Sequence, residues 1–163
     1  MLFLKQNFKS FIIIVVFFAS GFYVYHRIIS PDFNWEKWNP VDYKTNLTVP
    51  KPNGKVTIVS VFATWCRDCH KEMEQITLLR SKFSADQLQI VMLADESTEK
   101  VQNFESKYEI KDIQYAKLSD SYRKLGIKVL PTVYVLDKKG LVVKVFLEKV
   151  DLNISEIEVL VQK

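Results

Sequence analysis

The sequence predicts an α/β domain, a central mixed sheet flanked by helices, preceded by one N-terminal transmembrane helix. Apolar, β-branched runs of strand length alternate with stretches of helical spacing, which is the pattern of strands crossing a sheet between helices. The 163 residues have room for one domain at about 150 residues per domain, which excludes a two-domain enzyme. Ahead of the alternating part stands an apolar stretch with no charge in it. A composition of 48% hydrophobic and 26% charged residues, with four Gly and five Pro, excludes disordered and collagen-like chains.

That first stretch, Phe11 to Tyr25 (FIIIVVFFASGFYVY), follows Lys5 and Lys9 and precedes Arg27. As a helix it spans about 22 Å, short of a hydrocarbon core of about 30 Å. Lys9 and Arg27 can snorkel and extend the usable span from Phe8 to Ile29. Ala19-Ser20-Gly21 also resembles a signal-peptidase site, so an uncleaved anchor and a cleaved signal peptide both fit. Basic residues on the leading side place the rest of the chain, from Pro31, outside the cytoplasm. Once Lys5, Lys9 and Arg27 are set aside, the remaining Lys and Arg nearly balance the 19 Asp and Glu. No basic stripe is left to follow a phosphate backbone, so nucleic acid is not an expected partner.

Residues 1–30 are read as the anchor or signal peptide, 31–54 as a connector and 55–163 as the domain. From Pro31 to Pro50 the connector holds Phe33, Trp35, Trp38, Tyr43 and three prolines, too aromatic for a loose tether and too Pro-rich for a helix, so it is expected to lie against the domain. After the Asn53-Gly54 turn signal, Lys55 to Phe62 is a continuous apolar run of the kind buried on both faces of a sheet. Thr64 to Phe83 has helical spacing, with Cys69, Met73, Ile76, Leu79 and Phe83 on one face. Leu88 to Ala94 reads as a second buried strand, and Thr98 to Tyr108 as a helix with Val101 and Phe104 inward. Asp120 to Leu125 suggests a short helix. Val129 to Leu136, broken near its start by Pro131, and Leu141 to Leu147 suggest a hairpin about Lys139-Gly140. Ser155 with Glu158 three residues on is a capping-box pattern that starts a last helix, and helices are expected on both faces.

The chain has two cysteines, and both lie in Cys66-Arg67-Asp68-Cys69, where the first strand gives way to the first long helix. A structural disulfide closing so short a loop contributes only about 2 kcal/mol in the chain-entropy model. The position suits chemistry better, because unpaired N–H groups and the helix dipole favour a thiolate at Cys66. Cys66 is therefore the expected nucleophile and Cys69, one turn on, the resolving thiol. Arg67 and Asp68 act on the thiolate with opposite sign. Glu72 borders the apolar stripe beneath Cys69, where desolvation raises a carboxyl pKa and lets it exchange a proton with that thiol; an ordinary solvated helix Glu is equally consistent with the spacing.

Cys66 to His70 also spells C-x-x-C-H, the attachment signature of c-type haem. Such a site needs His70 as axial ligand and a second from elsewhere; His26 lies in the anchor, which leaves Met73 or Met92. A buried strand running straight into the motif argues against it. No metal is expected, since no second Cys/His pair completes a zinc site, and no cofactor is expected either.

Phe62-Ala63-Thr64-Trp65-Cys66-Arg67-Asp68-Cys69-His70-Lys71-Glu72-Met73, with Gly126-Ile127-Lys128-Val129-Leu130-Pro131-Thr132 further on, resembles the thioredoxin superfamily and specifically its membrane-anchored TlpA/ResA-like branch. The resemblance implies a thioredoxin-like fold over residues 55–163 and an extracytoplasmic, periplasmic thiol-disulfide oxidoreductase. It implies that Pro131 is cis and packs over the dithiol, that Leu130 offers backbone to a substrate peptide, that Trp65 shields the site, and that Glu72 is the branch's acidic residue. Members of this kind reduce protein disulfides, including those of apocytochromes before haem attachment in cytochrome c maturation, with electrons from a membrane thiol reductase.

Asp68, Glu74 and Val129 depart from the Pro, Pro and Gly common in the family, and Ser60 stands where cytosolic thioredoxins carry a buried Asp. The redox poise is therefore not transferable. The expected function is a membrane-tethered, monomeric reductase of substrate-protein disulfides. The alternatives are the same fold acting as a disulfide-forming oxidant, a c-type haem electron carrier, and a binding module or metal chaperone.

Overall fold

A computed structural model describes residues 10–21 and 32–162, in two compact units divided after Pro31. In the first unit, residues 10–21 form helix α1, and all its residues are exposed, including Phe11, Ile13, Phe17 and Phe18. Among the described residues no helix is long and apolar enough to cross a membrane. Phe8, Lys9 and residues 22–29 of the expected span lie outside the described residues.

The second unit is built on a six-stranded sheet. Its elements are α2 (Trp35–Trp38), β1 (Val41–Asp42), β2 (Val56–Val61), α3 (Arg67–Lys82), β3 (Leu88–Ala94), α4 (Thr98–Glu105), β4 (Gln114–Lys117), β5 (Thr132–Leu136), β6 (Val142–Leu147) and α5 (Ile154–Gln162). The strands lie in the order β1-β4-β3-β2-β5-β6. β2 runs parallel to β3 and antiparallel to β5, β3 is parallel to β4, and the edges β1 and β6 are antiparallel to their neighbours. All six residues of β2 are buried, as expected of a central strand.

Two cores form, one on each face. Val56, Ile58, Phe62, Ile90 and Met92 meet Cys69, Met73, Ile76 and Leu79 of α3, Val101 and Phe104 of α4, and Ile157 of α5. On the other face Val59, Val61, Val91, Leu93 and Tyr134 meet Trp35, Trp38, Val49, Leu125 and Ile127. The three longer helices thus share one face. Helices lie on both faces as expected, but unequally: the second face is covered by the single turn of α2, the rest of the connector and the 121–127 turn. The connector's aromatic rings are large enough to fill that space, with Phe33, Trp38 and Tyr134 packed at ring separations of 5.1 to 5.5 Å. Trp35 Nε1 donates to the Val49 carbonyl at 3.0 Å, which folds the connector back on itself.

Other expectations need correcting. The connector does hold a helical turn, α2, because its prolines fall outside it and the Asn34 side chain caps it by accepting from Lys37 N–H. From Asp32 on, it belongs to the same unit as the domain and supplies edge strand β1. The short strands β1 and β4 have no periodic signal and went unread. Residues 120–125 form a turn rather than a helix, ended by Gly126 at φ 82°, a left-handed conformation natural to glycine. The Val129–Leu136 run is broken at Pro131 as expected, with bends through 129–131 and β5 starting at Thr132. α5 starts at Ile154, and it is Asn153, not Ser155, whose side chain accepts from the N–H groups of Ser155 and Glu156. In the β5–β6 hairpin, Asp137 accepts from Lys139 and Leu141 N–H and Gly140 takes φ 72°. β6 is an open edge, with Leu141, Val142 and Val143 exposed and Lys144 paired to Glu156 of α5.

Trp38 is fully buried. Trp38→Ala is expected to cost about 3–5 kcal/mol, the range for a large aromatic removed from a core. Urea unfolding of the variant and the wild type measures it.

Candidate functional site

β2 ends at Val61, and Phe62 N–H continues the ladder by donating to the Leu93 carbonyl at 3.0 Å. The chain then turns through Ala63-Thr64-Trp65, and Cys66 becomes the N-cap of α3. Cys66 has extended backbone (φ −80°, ψ 112°), and its Sγ accepts the Cys69 N–H at 3.2 Å. A sulfur thus occupies the place of the usual oxygen at a helix N-terminus, where an orphan donor and the positive end of the helix dipole favour a thiolate. Cys66 and Cys69 are joined by a disulfide, with Cα atoms 5.2 Å apart. Cys66 is 7% exposed and Cys69 is sealed at 0%, so only the first sulfur has an edge for a partner to reach.

That edge opens into a cleft of about 450 Å³ lined by Trp65, Cys66, Asp95, Tyr122, Arg123 and Leu130 among others. Trp65 is 71% exposed, a flat apolar surface beside the nucleophile rather than a closed cover. Leu130 is half-buried in the same cleft and precedes Pro131 through a cis peptide bond, as the resemblance implies. The Pro131 carbonyl accepts from Glu148 N–H at 2.9 Å. Asp68 is turned to Lys71, bonded at 2.7 Å, which holds its carboxyl below its ordinary value.

Glu72, three residues beyond Cys69 on the same helix, is 1% exposed. Its Oε2 accepts from Ser60 Oγ at 3.0 Å, while among the described residues its Oε1 has no partner. Burial pushes its pKa up to about 8, with the Ser60 hydroxyl pulling weakly the other way. The spacing alone left a solvated Glu equally open; the structure buries it. A second cleft of about 480 Å³, lined by Asp68, Lys71, Gln75, Glu148 and Lys149, reaches Glu72 and shares no residue with the first. The carboxyl can thus exchange a proton from the side away from the nucleophile's opening.

His70, expected as haem ligand only if a haem were present, has both ring nitrogens engaged, one by the Thr64 carbonyl and one by the Tyr108 hydroxyl. Met73 and Met92 are fully buried. Among the described residues no cluster of three or more His, Cys, Asp or Glu suits a metal ion. Sequence reasoning missed Glu96, whose carboxylate holds Thr64; nothing in the residues around it signals that contact.

Residues 29–145 match the AhpC/TSA family. The chain is 30% identical over 153 residues to the thiol-disulfide oxidoreductase ResA of Bacillus cereus (strain ATCC 10987 / NRS 248), covering 86% of this chain and 88% of that protein. Among solved structures, a thiol-disulfide isomerase from Corynebacterium glutamicum superposes with a TM-score of 0.63 at 18% identity, over 82% of this chain and 97% of that one. StoA from Bacillus subtilis superposes with a TM-score of 0.54 at 19% identity, over 76% and 92%. These two likenesses establish the thioredoxin-like fold.

The Glu72 carboxyl makes stability depend on pH. Unfolded, it titrates near its ordinary 4.5; in the oxidised fold it titrates near 8. A raised folded pKa means that the native state holds the proton longer, so stability is fully present below about 4.5 and falls as pH rises toward 8. Glu72→Gln, which keeps the shape without the charge, is expected to be more stable than wild type at pH 8, with the difference vanishing at pH 4. Denaturant midpoints of the oxidised proteins across that window test it, and parallel curves would refute the buried carboxyl.

Proposed function

Because the chain belongs to the AhpC/TSA family and is a thiol-disulfide oxidoreductase, we propose that it is a membrane-tethered, extracytoplasmic reductase of protein disulfides that works through Cys66. The observation that carries this reading is the inequality of the two sulfurs. Cys66 has an exposed edge and a backbone N–H donor, while Cys69 is sealed, with a buried carboxyl one turn on.

In the reduced protein the Cys66 thiolate attacks a substrate disulfide, forming a mixed disulfide and releasing one substrate thiolate. Cys69 then gives its proton to the Glu72 carboxylate and attacks Cys66 Sγ, releasing the second substrate thiolate and closing the Cys66–Cys69 disulfide. Two electrons have passed to the substrate. A membrane thiol reductase returns them, and Glu72 gives the proton back to Cys69. Trp65 and Leu130 flank the opening that the substrate peptide enters, and Leu130 offers its backbone there. Tethering is supported by the exposed apolar surface of α1 and the basic residues ahead of it. Export favours substrates outside the cytoplasm, including apocytochromes before haem attachment, and monomeric action fits a one-to-one exchange.

The direction of electron flow is tested by the reduction potential of the full chain in detergent, read from Trp fluorescence across dithiol buffers. A midpoint near thioredoxin's value of about −270 mV is expected, while one near about −120 mV would make the protein an oxidant. Cys69→Ser should trap substrates as mixed disulfides on Cys66; retained activity in that variant would point to a binding module instead.

A further inference from the structure

The histidine of the C-x-x-C-H run has no part in the exchange just described, and its surroundings say what it does. Thr64, two residues ahead of the nucleophile, has all three of its polar groups held by side chains. Glu96 Oε2 accepts its N–H at 2.6 Å, Glu96 Oε1 accepts its hydroxyl at 3.0 Å, and His70 Nε2 meets its carbonyl at 2.9 Å. A carbonyl can only accept, so Nε2 carries the hydrogen, and Nδ1 accepts from the Tyr108 hydroxyl. The rings of His70 and Tyr108 each pack at 5.0 Å against Phe104. Glu96 is anchored in turn, because the Tyr43 hydroxyl lies 3.0 Å from its carbonyl.

We propose that His70, Glu96 and Tyr108 form a brace whose task is to hold Cys66 at the helix N-terminus in the reduced protein. In the oxidised form the disulfide already ties Cys66 to α3. Reduction removes that tie, and Cys66 is then held beside the Cys69 N–H by the bond from His70 N–H to its carbonyl and by the loop from Thr64, whose firmness the brace sets. The brace therefore acts on the thiolate and spares the disulfide form. These three are positioning residues, and the inference rests on Cys66 being the attacking thiol. The other charged groups around that sulfur, Arg67 and Asp68 on α3 and Asp95, Arg123 and Lys128 along the cleft, remain unaltered in the variants below, while the carboxylate lost in Glu96→Leu would by its charge alone move the thiol's profile downward, opposite to the loss of the brace.

The test is the pH profile of alkylation of the reduced full chain by iodoacetamide, with the modified cysteine identified by mass spectrometry. His70→Phe keeps the packing but loses both bonds, and Glu96→Leu releases the other two groups of Thr64. Each is expected to displace the profile upward by about half a unit or more, a loss of about threefold in rate below the midpoint. The oxidised forms should keep wild-type Trp fluorescence. His70→Gln, whose amide can donate to Thr64 and accept from Tyr108, should restore the profile. An unmoved profile in both His70→Phe and Glu96→Leu overturns the brace, as does a displacement that His70→Gln fails to reverse. Should His70→Phe not fold, Tyr108→Phe with Glu96→Leu carries the same comparison. Alkylation of wild type at Cys69 would instead sink the assignment of the nucleophile, a failure visible before any variant is compared.

Discussion

β2 is hydrogen-bonded along both edges, to β3 and β5, and covered on both faces by separate cores. A strand so confined has no freedom to slide, because a slip of one residue would turn Ser60 toward the connector and Val59 toward α3. Its fixed register sets where the chain leaves the sheet, and hence where the first residue of α3 stands. Ser60 and Cys66 are thereby locked to one another through the five residues between them, and the Ser60 hydroxyl meets a carboxylate that belongs to the second turn of the helix. Dithiol, buried acid and cis-proline strand are all read off the ends of β2 and its neighbour β5.

The distribution of polar groups around this frame separates two duties. On the side of Trp65 and Leu130 the surface is open and partly apolar, suited to a polypeptide of variable sequence. On the side of Gln75 and Glu148 it is polar and suited to water. Gln75 ties the two together at a distance, since its amide donates to the Val150 carbonyl and accepts from Leu152 N–H, both at 2.7 Å. The loop so held also bonds the Pro131 carbonyl through Glu148. A buried carboxyl with one unpartnered oxygen is costly to keep, and structures retain such groups where a proton has to move.

Much of this was legible in the residues, and the limits have physical causes. β2, β3 and α3 announce themselves because each buries a long apolar set at one period, and their bounds fall within a few residues of expectation. The dithiol was legible because both cysteines share one motif. The burial of Glu72 was only half legible: spacing puts it at the border of the stripe, but whether a border residue is solvated depends on the 148–150 loop, which is distant in sequence. Strands of two and four residues such as β1 and β4 carry no period to read. What covers the second face was only partly legible, because Trp35 and Trp38 of a Pro-rich connector fill it by side-chain size, which periodicity does not register. Glu96 was invisible, since a carboxylate that binds a backbone N–H thirty-odd residues away leaves no local trace.

The open edge β6 has a consequence for how the protein survives crowding. Leu141 to Leu147 is apolar at all but one position, three of them β-branched valines, and it lies at the edge of the sheet, the profile of a segment that can template cross-β stacking between copies. Lys144 is the single charge in that run and is held by Glu156 in the middle of it. One lysine thus interrupts the apolar run, in the place where a gatekeeper charge breaks strand stacking, on a side chain remote from the redox chemistry.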